Sequence, residues 1–270
     1  MPAKSRTYQP AKVRAALAAQ NEALRAAVHR LTADDLDRPT RLGTWRVREL
    51  VAHLSLVLDR LPAQLAAPAP DGPALSLSRF TELTATVAGT VDAEVAEHAG
   101  AGFTGPPEEV AARFDRSVDA ARAALDGTAA DGPARPVAMR FGPMALTEFL
   151  VTRLLETVVH ADDLADALGL AEFPHDRQAV AAATRLLADA FAERVPGGAV
   201  ELRVPPYAVV QAVEGPRHTR GTPPNVVETD PLTWIRLATG RVDWAAGVDS
   251  AVVSASGERS DLGPHLPLLG

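Results

Sequence analysis

One stretch of the chain concentrates ionisable residues among apolar ones: Arg153-Leu154-Leu155-Glu156-Thr157-Val158-Val159-His160-Ala161-Asp162-Asp163-Leu164. At about 100° per residue, a helix would place Arg153, Glu156, His160 and Asp163 within an arc of roughly 80°. Most of the remaining circumference is apolar, carrying Leu150, Val151, Leu154, Leu155, Val158, Val159, Leu164 and Leu168, so such a helix should be buried on most sides. Unpaired buried charge is costly, and the stripe must therefore face a partner, a metal or a polar cavity. Asp162 and Asp166 fall off the stripe and are expected to mark an exposed edge. Glu156 and His160 are four apart and project side by side. That spacing suits two ligands of one divalent ion, and it suits an ordinary ion pair as well.

A third donor would separate those readings. In Trp45-Arg46-Val47-Arg48-Glu49-Leu50-Val51-Ala52-His53-Leu54 the apolar stripe runs Val47, Leu50, Val51, Leu54, Leu58, Leu61. His53 lies at its border, about 100° from the centre, where a side chain can enter a seam between helices. A half-buried histidine hydrogen-bonded to a neighbour is the plain alternative. Joined to Glu156 and His160, it would complete a two-histidine, one-carboxylate site with an open coordination position, the mark of a catalytic rather than a structural zinc.

The elements that must position these residues can be read from composition and periodicity. Residues 1–200 hold 45 alanines and residues 201–270 hold 7, and alanine is the best helix former. We expect an α+β protein: helices at about 10–30, 46–66, 77–98, 107–125 and 146–168, then a smaller α/β domain with a helix at 179–194. Val200–Val204 and Ala251–Ser254 read as short strands. The boundary is expected near 170–176, giving domains of 1–172 and 173–270. Thr44 is a candidate N-cap for the second helix, and Thr147 is expected to start or cap the fifth. The prolines from Pro62 to Pro73 and the run Asp131–Pro136 read as surface loops.

Composition also excludes. The 270 residues include no cysteine, which rules out disulfides, thiolate metal sites and a cysteine nucleophile. A net charge of −7, with three Trp, two Tyr and seven Phe, argues against a nucleic-acid binder. No run of about 18 apolar residues occurs, and no apolar signal core follows the basic opening residues. A cytoplasmic protein without a membrane span is the expectation. His29, His98, His175 and His265 lack a clustered partner in sequence and read as solvent or packing histidines.

The segments Pro39-Thr40-Arg41-Leu42-Gly43-Thr44-Trp45 and Glu49-Leu50-Val51-Ala52-His53-Leu54, followed by Arg153–Leu164 and Ala167-Leu168-Gly169, resemble the signature of the mycothiol-dependent maleylpyruvate isomerase superfamily. The resemblance is strong over 31–61 and 146–169 and weaker over 200–270. There, Leu237–Arg241 and Ser256–Arg259 look like a sterol-carrier-like domain. The opening Arg6–Leu17 looks most like members labelled sterol carrier family proteins.

The resemblance implies a DinB-like helical bundle followed by a sterol-carrier-like domain. It implies zinc held by His53, Glu156 and His160, with mycothiol as the second cofactor. Metal coordination would make the mycothiol thiol a thiolate, which in an isomerase adds to an activated double bond, permits rotation and is eliminated. A transferase stops at the adduct. The partners would be a low-molecular-weight thiol and a small-molecule electrophile. Arg153 and Asp163 read as groups orienting the ligands; Glu49 could do the same or cap a surface pair. Arg241 is the candidate anion-binding arginine, with Arg217-His218-Thr219-Arg220-Gly221 as its rival. A non-catalytic carrier of an apolar molecule, or an enzyme of specialised metabolism using the same pocket, are the other classes of function considered.

Overall fold

The computed structural model describes residues 6–68, 71–84, 88–128, 132, 134–215 and 223–269. The chain divides into two compact units. One comprises Tyr8–Leu75 and Val87–Ala179; the other is chiefly Val180–Gly270 and also takes in Ser76–Thr86.

The first unit is a helical bundle. Its elements are α1 (Pro10–Val28), the single turn α2 (Ala33–Leu36), α3 (Val47–Ala66), α5 (Ala88–Gly102), α6 (Pro107–Gly127) and α7 (Leu146–Leu168), while α4 (Leu77–Thr84) belongs to the other unit. The helix expected over 77–98 is found as α4 and α5, and residues 85–87 lie outside the described residues. α3 packs against α5, α6 and α7, and α1 against α6 and α7. The apolar stripe of α3 is buried along its whole length, from Val47 to Leu61. Phe114, Phe149, Leu17 and Leu24 are fully buried in the same unit. α3 continues through Pro62 to Ala66, so the loop expected from Pro62 begins a turn later. Proline removes one backbone donor, and burial of Leu61 and Leu65 on either side keeps the last turn in place.

Two expected caps are corrected. The N-cap of α3 is Arg46, not Thr44, and Glu49 closes the helix start by accepting the Arg46 backbone N–H at 2.9 Å. α7 begins one residue before Thr147, with Ala145 at its N-cap. It follows directly on an antiparallel hairpin of β1 (Pro136–Met139) and β2 (Gly142–Ala145). These strands of four residues are too short to declare a period of two in the sequence.

The second unit holds α8 (Arg177–Arg194), which starts in the first unit, and a four-stranded sheet in the order β4-β3-β5-β6. β3 (Val200–Val204) pairs antiparallel with β4 (Ala208–Ala212) and parallel with β5 (Val226–Thr229); β5 pairs antiparallel with β6 (Val253–Ser256). α9 (Pro231–Ala238) and α10 (Trp244–Asp249) connect β5 to β6. Trp234 on α9 meets Phe191 on α8 edge to face at 5.6 Å, a favourable aromatic geometry in this unit's core. No helix among the described residues is long and apolar enough to cross a membrane.

Candidate metal centre

The facing sides of α3 and α7 bring His53, Glu156 and His160 together. One ligand atom from each lies within 4.8 Å of the others. Glu156 Oε2 stands between the two rings, 3.5 Å from His53 Nε2 and 3.4 Å from His160 Nε2. The rings meet edge to face with centroids 4.5 Å apart, and the Trp45 ring lies 5.2 Å from that of His53.

These distances bear on what the site can hold. They are long for charge-assisted hydrogen bonds, which fall at about 2.7–2.9 Å. They match the roughly 3.3 Å edge of a tetrahedron whose metal–ligand bonds are 2.0–2.1 Å. Both ring nitrogens of His53 are buried without a hydrogen-bond partner, an expensive arrangement for polar atoms with nothing to bind. The donor set therefore fits a divalent cation.

Electrostatics separates the three donors. Burial, helped by the neighbouring His160, holds the His53 pKa below its ordinary value and keeps a lone pair free. Burial alone would raise Glu156, but the two imidazoles and Arg153 outweigh it and hold the carboxyl well below the usual range. Burial also opposes charge on His160, yet Asp163 and Glu156 raise its pKa.

His160 is aimed by a relay. Its Nδ1 lies 2.9 Å from Asp163 Oδ2, which turns Nε2 toward Glu156. Asp163 is fully buried, and its other oxygen accepts from Arg41 Nε at 2.6 Å. The same guanidinium donates to Asp162 Oδ2 at 2.6 Å and lies 3.7 Å from Asp166. Asp162 is buried, correcting the expectation that it marks an exposed edge; only Asp166 is exposed.

Arg41 is presented by a turn. Thr40 N–H and Oγ1 both donate to the Trp45 carbonyl at 2.9 and 2.7 Å, and Gly43 takes φ +60°, a conformation that costs glycine little. Arg41 appeared in the sequence only as part of a signature. The available signal was two adjacent aspartates on a helix otherwise apolar, which require a cation from another element.

Glu49 and Arg153 belong to the same unit as the three donors, and Arg241 to the other. Glu49 caps α3 through its bond to Arg46 N–H. Arg153 sits on α7 one turn before Glu156 and makes no hydrogen bond to any of the three donors. Arg241 belongs to the second unit and donates to the Thr239 carbonyl at 2.6 Å. The rival segment 217–221 lies outside the described residues.

The lone histidines also have partners. His29 reaches Asp115 at 3.0 Å, His175 faces Gln20, and His265 packs on Phe191. His98 is set among Ser55, Asp59 and Phe103. Tertiary packing supplies contacts that spacing along the chain does not reveal.

Comparison with known proteins defines the class. Residues 17–165 match the family model of the mycothiol maleylpyruvate isomerase N-terminal domain, and the chain belongs to that family. Residues 176–268 match the model of the bacterial SCP ortholog, so a sterol-carrier-like part follows the bundle. Among solved structures, the mycothiol-dependent maleylpyruvate isomerase and a histidine-to-alanine mutant of it each superpose with a TM-score of 0.59 at 16% identity. Each match covers 97% of this chain and 97% of the other, which extends the shared fold through both parts. No curated protein matches the chain in sequence.

Proposed function

We propose that this chain is a metal- and thiol-dependent enzyme, with zinc held by His53, Glu156 and His160 and mycothiol as the thiol. It would act on a small electrophile as a cis–trans isomerase or an S-transferase. The observation that carries the reading is the placement of Glu156 Oε2 at 3.5 and 3.4 Å from two imidazole nitrogens, one of them without any hydrogen-bond partner.

When bound, the cation supplies the Lewis acidity that keeps a coordinated thiol ionised at neutral pH. The protein's part is preparation. Glu156 is held ionised and contributes the one anionic ligand; His53 is held neutral with its lone pair available. Asp163 fixes the ring orientation of His160. Three protein ligands leave a position open for the thiol. The ring of Trp45 against His53 closes one side of that ligand.

Metal analysis tests the reading. Purified protein should carry about one zinc per chain, and His160→Ala should lose it while keeping its helical circular dichroism. Wild-type protein that binds no divalent metal when supplied would sink the proposal. Incubation with mycothiol and maleylpyruvate then separates an isomerase, which releases the trans product, from a transferase, which accumulates the thioether.

A carrier role has one observation in its favour, the bacterial SCP match over 176–268. Binding of a fluorescent acyl chain at full strength by both the wild type and the metal-free His160→Ala variant would support it.

A further inference from the structure

Most arginines that dip below the surface of the bundle have evident partners. Arg41 meets three aspartates, Arg113 pairs with Asp59, Arg25 with Asp115 and Asp119, and Arg48 donates to the carbonyls of Phe103 and Gly105. Arg153 differs. It is 9% exposed. Its Nε donates to Thr152 Oγ1 at 3.2 Å, and the guanidinium lies over the Phe149 ring at 5.4 Å. Among the described residues it pairs with no carboxylate, and its terminal nitrogens donate to no protein group and keep some access to solvent.

An arginine cannot relieve this by losing its proton in the physiological range. A guanidinium nine-tenths buried with no ion-pair partner is costly, and a leucine or methionine would fill the place on this apolar helix without that penalty. The position is also specific. Arg153 precedes Glu156 by three residues and His160 by seven, so all three share one face of α7. Its charge acts on both His53 and Glu156. Arg60 adds a second positive charge to its surroundings. Glu156 attracts Arg153, yet it faces the two imidazoles and is not within ion-pairing reach.

We propose that Arg153 is an anion-binding residue that grips a carboxylate of the small electrophile beside the His53/Glu156/His160 centre. The guanidinium fork matches a carboxylate in bidentate geometry, and the face of Phe149 holds the fork in plane. A carboxylate there would satisfy the terminal N–H groups together and neutralise the buried charge. The electrophile would lie with its carboxylate on Arg153 and its electrophilic carbon toward the open side of the three donors. The catalytic meaning of this subsite rests on the metal-centre reading, whereas the anion binding itself does not.

The experiment uses the full chain and maleate as the probe, with dimethyl maleate as its uncharged counterpart. Binding is measured by calorimetry on metal-supplemented and on chelator-stripped protein. Wild-type protein should bind maleate and not the diester in both states. Arg153→Met should bind maleate about thirtyfold or more weakly, with unchanged metal content and a raised thermal midpoint, because a buried unpaired charge has been removed. Arg153→Lys should fall between them, retaining the charge without the fork.

A rise in stability together with loss of binding is a signature that a merely structural arginine cannot produce. The proposal is overturned if wild-type protein does not bind maleate, or if Arg153→Met binds it as the wild type does. It is overturned equally if Arg153→Met loses stability and Arg153→Lys keeps wild-type affinity. Failure of the metal reading appears separately, as wild-type protein that takes up no zinc but still distinguishes maleate from its ester.

Discussion

The orientation of His160 depends on atoms outside the three donors. Asp163 holds the ring, and Arg41 holds Asp163 from a loop more than a hundred residues earlier in the chain. Asp163→Asn keeps the shape but can turn an N–H toward the ring. Zinc affinity should fall about 10- to 100-fold, as read by competition with a chromogenic chelator. Arg41→Met is harsher, because it leaves Asp162 and Asp163 buried without their cation. It should destabilise the fold by about 3 kcal/mol or more in denaturant unfolding, and it should weaken zinc binding as well. Equal stability in Arg41→Met would show that the aspartates find another counter-charge.

At the scale of elements, the site is a register between two helices. α7 carries Glu156 and His160 on consecutive turns, and α3 brings His53 opposite them. α7 must end soon after Asp163, and Gly169 ends it. With φ +68° this residue takes the left-handed conformation, and its N–H returns to the carbonyls of Ala165 and Asp166. A side chain in that conformation is strained. Gly169→Ala should therefore cost about 1–2 kcal/mol in chemical denaturation and leave metal content intact, since the donors lie two turns away. The bonds of Asp162 and Asp163 to Arg41 serve the same register, tying the last turns of α7 to the loop that starts α3.

For the molecule as a whole, acid should weaken the fold partly through His98. This ring lies in the seam of α3, α5 and α6, with Nε2 3.5 Å from Asp59 and 3.3 Å from Ser55 Oγ. Burial lowers its pKa, Arg113 and Arg60 act in the same direction, and Asp59 only partly compensates. The unfolded chain therefore takes up this proton more readily than the folded one. The stabilising contribution is complete above the ordinary histidine pKa of about 6.5 and is lost as pH falls through it toward the lower folded value. Unfolding free energies at pH 7.5 and 5.5 should differ more in the wild type than in His98→Gln. An identical pH slope in the two proteins would remove His98 from the account.

Much of this was legible before any coordinates. The wheel of Arg153–Leu168 is decisive because charged residues cannot share an apolar circumference without a partner, and the stripe of α3 is visible for the same reason. Helix boundaries were close where alanine density and prolines agree. Short strands without a developed alternation were not readable, and β1, β2, β4 and β5 are of that kind. Thr44 is not the cap because Glu49 reaching back to Arg46 depends on backbone geometry rather than residue preference, and α7 starts straight from the last residue of β2.

Residue type and helical period alone place nitrogen and oxygen donors at ligand spacing and show that none of them is sulfur. Tertiary packing sets Glu156 between two imidazoles, buries Asp162 and Asp163 on Arg41, and leaves Arg153 with no carboxylate in ion-pairing reach among the described residues. The physical reason is that burial and charge pairing depend on distances between segments. Periodicity constrains each helix separately and says nothing of which cation meets which carboxylate, or of which one is left to bind something else.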